Sequence, residues 1–287
     1  MHHRPRPRSL AAVLATAAVL LALAACNAAP SASVLTDPKA ILTTAITNAS
    51  QAKSVHVDAT AAGSLPISLA GGIGGAGLDL TGTTASADID LANTAAHATF
   101  AAPGLLGLRG ELIAVGGVTY LKTTLTGPLF KQQSSGPAPS TSPAPSGAAA
   151  AMLQSLQEFL SKPGVDPTLA AEAPCGSGTC YTVEIDLTPA ELQALQAGSG
   201  VELPTAGLPV DLGDLADSGL HLTFHVAKDT VKLAGLTAVV DMNASASAAP
   251  GASAPSTADV TVDLTFTKWD EPVTITAPPA DQIAPAS

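Results

Sequence analysis

The sequence predicts an α+β domain, a mostly antiparallel sheet of eight to eleven strands with helices gathered on one face. Three observations predict it. Most of the chain alternates apolar and polar residues with period two, as a strand with one buried face does. A few segments instead repeat apolar residues at helical spacing behind recognisable start signals. Many of the alternating runs are joined by short turns containing Gly, Asp or Asn, such as Lys228-Asp229.

The first element is a targeting signal. Arg4, Arg6 and Arg8 precede an apolar stretch from about Leu10 to Leu21, which ends in Leu23-Ala24-Ala25-Cys26. The stretch is shorter than the roughly 20 residues a membrane span needs, and it turns at once into Asn27 and a small-residue, Pro-containing segment. It resembles a bacterial lipoprotein signal whose lipobox ends on Cys26. That resemblance implies diacylglycerol on the Cys26 thiol, cleavage before it, and a location on the outer face of the cell membrane, lipid-anchored. Each buried acyl methylene contributes about 0.8 kcal/mol and one chain alone holds marginally, so the two chains of a diacylglyceryl cysteine make a stable anchor.

Residues 1–25 are thus read as signal, 26–36 as tether and 37–287 as a single domain. Asp37-Pro38 is an N-cap with proline in the first turn, opening a helix through Ala52 whose Ile41, Leu42, Ala45, Ile46 and Ala49 share one face. Alternation then predicts strands over Ser54–Ala61, Ala85–Leu91, His97–Phe100, Glu111–Val115, Val118–Lys122, Tyr181–Leu187, Leu220–Ala227, Thr230–Leu236, Thr237–Met242 and Asp259–Lys268. A second helix over Ala149–Lys162 carries Met152, Leu153, Leu156, Phe159 and Leu160 on one stripe and stops at Pro163-Gly164. Thr188-Pro189-Ala190-Glu191 is a capping box that opens a short helix through about Ala197. Gly71–Gly77 is too Gly-rich for a regular strand, and the Pro/Ser/Ala/Thr segments 134–147 and 245–258 read as surface insertions.

Composition excludes several partners. With Arg4, Arg6 and Arg8 removed, the mature chain holds nine basic against 23 acidic residues, a formal charge of −14, and aromatics are 3% of the sequence. No nucleic-acid partner fits that balance, since neither a basic patch nor stacking platforms are available. Cys175 and Cys180 enclose a Gly-rich loop, read as a disulfide in an extracytoplasmic chain. His56, His97, His221 and His225 show no metal-ligand spacing beside them, and no metal or cofactor is expected.

The order of several segments is similar to that of the LppX/LprAFG family of actinobacterial and mycobacterial lipoproteins. These are lipobox Cys26, the early helix running into Ser54-Val55-His56-Val57, the segment Glu111–Lys122, Lys162-Pro163-Gly164-Val165-Asp166-Pro167, and the terminal Trp269-Asp270-Glu271-Pro272 followed by Val273–Pro278. The resemblance runs from about Asp37 to Pro278 and is most specific at Glu111–Lys122. It implies a strongly curved sheet, a half-barrel, with helices on its concave face and an apolar cavity between the layers. The helix residues that would line that cavity are Ile41, Leu42, Ile46, Met152, Leu153, Leu156, Phe159 and Leu160. From the strands it would take Val57, Ile89, Val115, Leu222, Phe224, Val262 and Leu264. The implied partners are an acylated lipid or glycolipid, the membrane through the anchor, and an envelope transporter. The insertions, the 71–77 segment and the cysteine pair depart from the family pattern.

An enzyme needs polar groups converging on a reacting atom. The candidates are His56, Asp58, His97, His221 and His225, but they fall on the polar sides of strands, and no Gly-x-Ser-x-Gly elbow or phosphate loop accompanies them. Small apolar residues with few aromatics suit a lipid carrier better, because they leave volume for acyl chains. The other reading is a non-enzymatic envelope scaffold or accessory protein acting through its outer sheet face. The anchor is directly testable: Cys26→Ser is expected to move the protein out of the membrane fraction, and a variant retained there as fully as the parent contradicts the lipid anchor.

Overall fold

The computed structural model describes residues 35–65, 78–134, 145–176, 178–193, 218–242 and 258–285. These lie in one unit, Leu35–Ser287; Met1–Val34 form a separate unit outside the described residues, and with it lies Cys26. Gly71–Gly77, residues 135–144 and residues 243–257 are also outside them.

Helix α1 (Pro38–Ser50) starts as its sequence dictates, with the Asp37 carboxylate accepting from the Lys39 amide at 3.0 Å and proline in the first turn. Strands β1 (Ser54–Leu65), β2 (Leu78–Asp79), β3 (Thr83–Asp90), β4 (Ala95–Ala102), β5 (Leu108–Val115), β6 (Val118–Thr123) and β7 (Lys131–Ser134) follow, then α2 (Pro145–Ser161). The second half holds β8 (Thr168–Leu169), β9 (Ala173–Cys175), β10 (Gly178–Leu187), β11 (Ser218–Ala227), β12 (Leu233–Met242) and β13 (Ala258–Thr267). At 188–191 the capping box forms, the Thr188 amide donating to Glu191 Oε2 at 2.8 Å at the start of the helical residues 189–193.

All strands join one sheet in the order β7-β6-β5-β4-β3-β1-β13-β12-β11-β10-β8, with β2 on β1 and β9 on β10, and every strand pairing is antiparallel. Period-two reasoning finds the long strands. It misses β2, β7, β8 and β9, which are two to four residues long and too short to show a period. It also splits residues 230–242, where a turn precedes a single strand.

The half-barrel is not what the chain forms. The strand order runs from one free edge, β7, to another, β8, and the sheet is extended, neither closed nor curved into a half-barrel. Among the described residues, the space beneath α1 and the C-terminal turns of α2 is filled. Ile41, Leu42, Ile46, Phe159 and Leu160 close on Val183, Ile185, Phe224 and Val226 in one cluster, with Ile41, Leu42, Val183 and Ile185 at 0% exposure. Side chains of this size fill the gap, and close packing is the ordinary outcome when two apolar layers meet.

The terminal motif ties three strand ends together. Trp269 Nε1 donates to the Leu233 carbonyl at 2.8 Å, the Lys53 amide donates to Asp270 Oδ1 at 2.8 Å, and the Asp270 amide donates to the Ser54 carbonyl at 3.0 Å. Glu111–Lys122 is the β5–β6 hairpin. Its two-residue turn, Gly116-Gly117, has φ of 59° and 76°, the left-handed pair that a tight hairpin requires and glycine adopts without strain. Cys175 and Cys180 form a disulfide between the neighbouring strands β9 and β10.

Phe224 lies at the centre of the filled cluster at 1% exposure. Phe224→Ala is expected to destabilise the domain by about 3–5 kcal/mol, read as a lower denaturant midpoint at unchanged slope; a loss below about 1 kcal/mol contradicts the close packing described.

Candidate functional site

Residues directly opposed across an antiparallel ladder share a face, so the register sorts every strand residue to one side. One face carries Val57, Ala59 and Ala61 of β1, Ala85, Ala87 and Ile89 of β3, Ala98 and Phe100 of β4, and Leu112 of β5. Across β13 it continues through Val262, Leu264 and Phe266, and then through Leu236, Phe224 and Val183 into the helix-packed cluster. The apolar face therefore has two halves. Under the helices it is filled, while Val57, Ala59, Ala61, Ala85, Ala87, Ala98, Phe100, Leu112, Val262 and Leu264 are only half-buried.

Side-chain size shapes the second half. Ala59, Ala61, Ala85, Ala87 and Ala98 stand as a block across β1, β3 and β4, with Phe100 and Leu112 to one side and Leu264 and Phe266 to the other. The small methyl groups between taller side chains give this half of the face the relief of a shallow apolar trough, and α2 reaches over it as far as β4.

The residues expected to line a lipid cavity divide accordingly. Ile41, Leu42, Ile46, Phe159, Leu160 and Phe224 are in the filled cluster, and Leu153, Leu156 and Leu222 are half-buried against it. Met152 is in α2, but its side chain lies outside the described residues. Val57, Ile89, Val262 and Leu264 share the apolar face next to the trough. Val115 is on the opposite face, because it shares its parity with Ile113 and packs with Val118, Tyr120 and Phe130 under Ile275 and Ile283 of the C-terminal segment. The alternation of Ala59 and Ala61 with Asp58 and Thr60 puts these two alanines on the side of Val57 from the sequence alone, whereas the alanines of β3 and β4 join them only through the register.

The reverse face is polar. His56 Nδ1 lies 2.6 Å from Asp88 Oδ1 and its Nε2 lies 3.3 Å from Asp58, and His97 Nε2 lies 3.0 Å from Glu111 Oε1. His221 pairs with Asp186 at the far side of β13 and β12, with Thr223 Oγ1 3.0 Å from its Nε2. His225 Nδ1 is buried without a hydrogen-bond partner. Apart from His225, the histidine candidates are thus in cross-strand pairs in two places, one on β1–β3–β4–β5 and one on β10–β11. An open depression of about 440 Å³ is lined by Asp58, Ala59 and Thr60 of β1, Thr84, Ala85 and Ser86 of β3, and Thr99, Phe100 and Ala101 of β4, so residues of both parities border it. Among the described residues no cluster of three or more His, Cys, Asp or Glu is arranged to hold a metal ion. No described helix is long and apolar enough to cross a membrane.

Lys122 Nζ lies 2.6 Å from Glu111 Oε2, and this hydrogen bond holds the Glu111 carboxyl below its ordinary 4.5; burial opposes the shift and His97 adds to it.

No family model matches the chain, and no curated protein matches it. Among solved structures the chain is similar to LprF from Mycobacterium bovis, at 16% identity and a TM-score of 0.49 over 84% of this chain and 96% of that one. It is also similar to the Mycobacterium tuberculosis lipoprotein LppX, at 17% identity and a TM-score of 0.45 over 83% of this chain and 98% of that one. Both likenesses extend over nearly the whole of the other protein at low identity.

Because folding lowers the Glu111 pKa, its contribution is present above the ordinary carboxylate range and is lost as pH falls through the lowered value. Glu111→Gln is expected to cost about 1 kcal/mol at pH 7 and nothing once the parent's Glu111 carboxyl is protonated at acid pH, read from urea unfolding across pH. An equal cost at neutral and strongly acid pH contradicts this role of the ion pair.

Proposed function

We propose that this chain is a lipid-anchored, non-catalytic envelope protein of the LppX/LprAFG type, which binds the acyl chains of a multi-acyl lipid or glycolipid along the alanine-floored half of its apolar sheet face. The observation that carries the reading is that half-buried stretch: contiguous apolar strand positions, floored by methyl groups, between the packed cluster and the place where α2 reaches β4. The lipobox ending on Cys26 supports the address, and the segment order around Glu111–Lys122 supports the family. In water each sequestered methylene is worth about 0.8 kcal/mol, so two or three chains supply ample affinity without charged recognition. Specificity then follows chain number and length against the trough, and an envelope transporter is the partner such a carrier would serve.

The test fills the trough from its floor. Ala87→Trp and Ala98→Trp each place an indole where the acyl chain is assigned, whereas Leu156, packed against the filled cluster, is a poor site for such a probe. Protein made in an actinobacterium is extracted with organic solvent and the lipid weighed by mass spectrometry. Either variant, folded as the parent by circular dichroism, is expected to carry several-fold less lipid per chain; equal recovery, or no lipid on the parent, contradicts the reading.

A further inference from the structure

We propose that the β4–β5 and β6–β7 loops form a membrane-docking edge, which seats this end of the sheet on a bilayer surface carrying anionic headgroups. The proposal rests on the envelope address in the reading above and not on which lipid the sheet carries.

The two loops lie side by side at one end of adjacent hairpins. The Thr124 amide donates to the Arg109 carbonyl at 2.9 Å, and the Arg109 amide donates to Thr124 Oγ1 at 3.3 Å. Their tips present four of the five exposed large apolar residues among those described: Leu106 is 94% exposed and Leu125 70%, with Leu105 and Leu129 beside them at 37% each, while Leu169 lies apart on β8. Scattered exposed leucines are ordinary, but four on two joined loop tips form a group that gains nothing from the fold.

Leu106 also breaks a backbone rule. Its φ is 54°, a left-handed position that disfavours a branched side chain, and Gly107 follows at 69°. A strained residue that is almost fully exposed has no compensating contact within the domain, the pattern found where function sets the sequence. The loop is nonetheless held firmly at its base. A Cβ on Gly104 would come within 1.8 Å of the Asp79 carbonyl oxygen, so backbone lies directly on backbone there and the tip is turned outward.

Charge identifies the surface that receives the leucines. The whole chain carries −11, yet between Asp90 and Glu158 the single acid is Glu111, which is already paired with Lys122 and His97. Arg109 and Lys131, at the roots of the two loops, are exposed and form no ion pair among the described residues. Two acids stand at the bases of the loops: Asp79, against Gly104, whose carboxylate accepts from the Thr81 amide at 2.8 Å, and exposed Asp281, next to Gln282, whose carbonyl accepts from the Phe130 amide at 2.8 Å. Exposed leucines flanked by unpaired cations match the interface of an anionic bilayer, where apolar groups enter the acyl boundary and cations meet headgroups. The acidic remainder of the molecule would be repelled, which gives the docking one orientation.

The experiment uses a chain beginning at Asn27, which lacks the lipidation site and keeps the whole Leu35–Ser287 unit. It is sedimented with vesicles of phosphatidylcholine alone or mixed with phosphatidylglycerol. The parent is expected to bind both and to prefer the mixture. Leu106→Ser combined with Leu125→Ser lowers binding to both by about tenfold or more. Arg109→Gln combined with Lys131→Gln abolishes the preference while leaving binding to phosphatidylcholine. A parent that binds neither vesicle, or a leucine double variant that binds as the parent does, overturns the proposal. Self-association of the parent without vesicle binding, lost in the leucine variant, overturns it too and assigns the edge to a second copy. Lipid recovered by organic extraction is read separately, so a failed docking edge and a failed lipid-binding trough give different results.

Discussion

The pairing of β1 with β13 holds this architecture together. Strands β3 to β7 form one antiparallel meander and β10 to β13 the core of another, and they become one sheet because His56 to Gly63 pair with Val260 to Thr267 across some 200 residues of chain. That closure sets the parity of both halves. A slip of one residue would turn Val57 and Ala59 to the polar side and break the continuity of the apolar face across the join. The Trp269-Asp270 contacts with Leu233, Lys53 and Ser54 stand at one end of the seam and pin its register. Contacts of such sequence separation form late and slowly, so the seam also sets a kinetic demand on folding.

From that register follows a division of labour between the faces. The polar face resolves its histidines and carboxylates into cross-strand pairs such as His56 with Asp88 and Glu111 with Lys122. The apolar face uses its large side chains beneath the helices, around Phe224, and its small ones beyond β13. The close-packed half stabilises the fold, and the half-buried one is where the proposed ligand would lie. The leucine-bearing loops close β4–β5 and β6–β7 at one end of the same half, so a bilayer met there would lie at the end of the trough.

Much of this was legible in the sequence because its signals are local. Asp37-Pro38 and Thr188–Glu191 fix their helix starts through side chains a few residues away, and the alternation in Val55, Val57, Ala59 and Ala61 reports a face directly. Curvature and cavity volume are not local. The half-barrel came from resemblance, and nothing in the alternation of a strand states how far its sheet bends or whether the layer above leaves space. Val115 shows the limit of hydrophobicity alone: the polar side of β5 carries an apolar patch of its own, covered by Ile275 and Ile283, which lie some 160 residues later in the chain. The short strands β8 and β9 are specified by their partner β10 and not by any pattern within themselves.

The central claim, that acyl chains lie on the alanine-floored side of the sheet, is tested most directly by photocrosslinking with a lipid bearing a diazirine in its acyl chain. Because successive strand residues point to opposite faces, residue-level mapping of the adducts separates the two sides. The account predicts adducts at Val57, Ala59, Ala87, Ala98, Val262 and Leu264 and none at His56, Thr60 or Asp263. Adducts concentrated on those polar-face positions, or beneath the helices around Ile46 and Phe224, would contradict it.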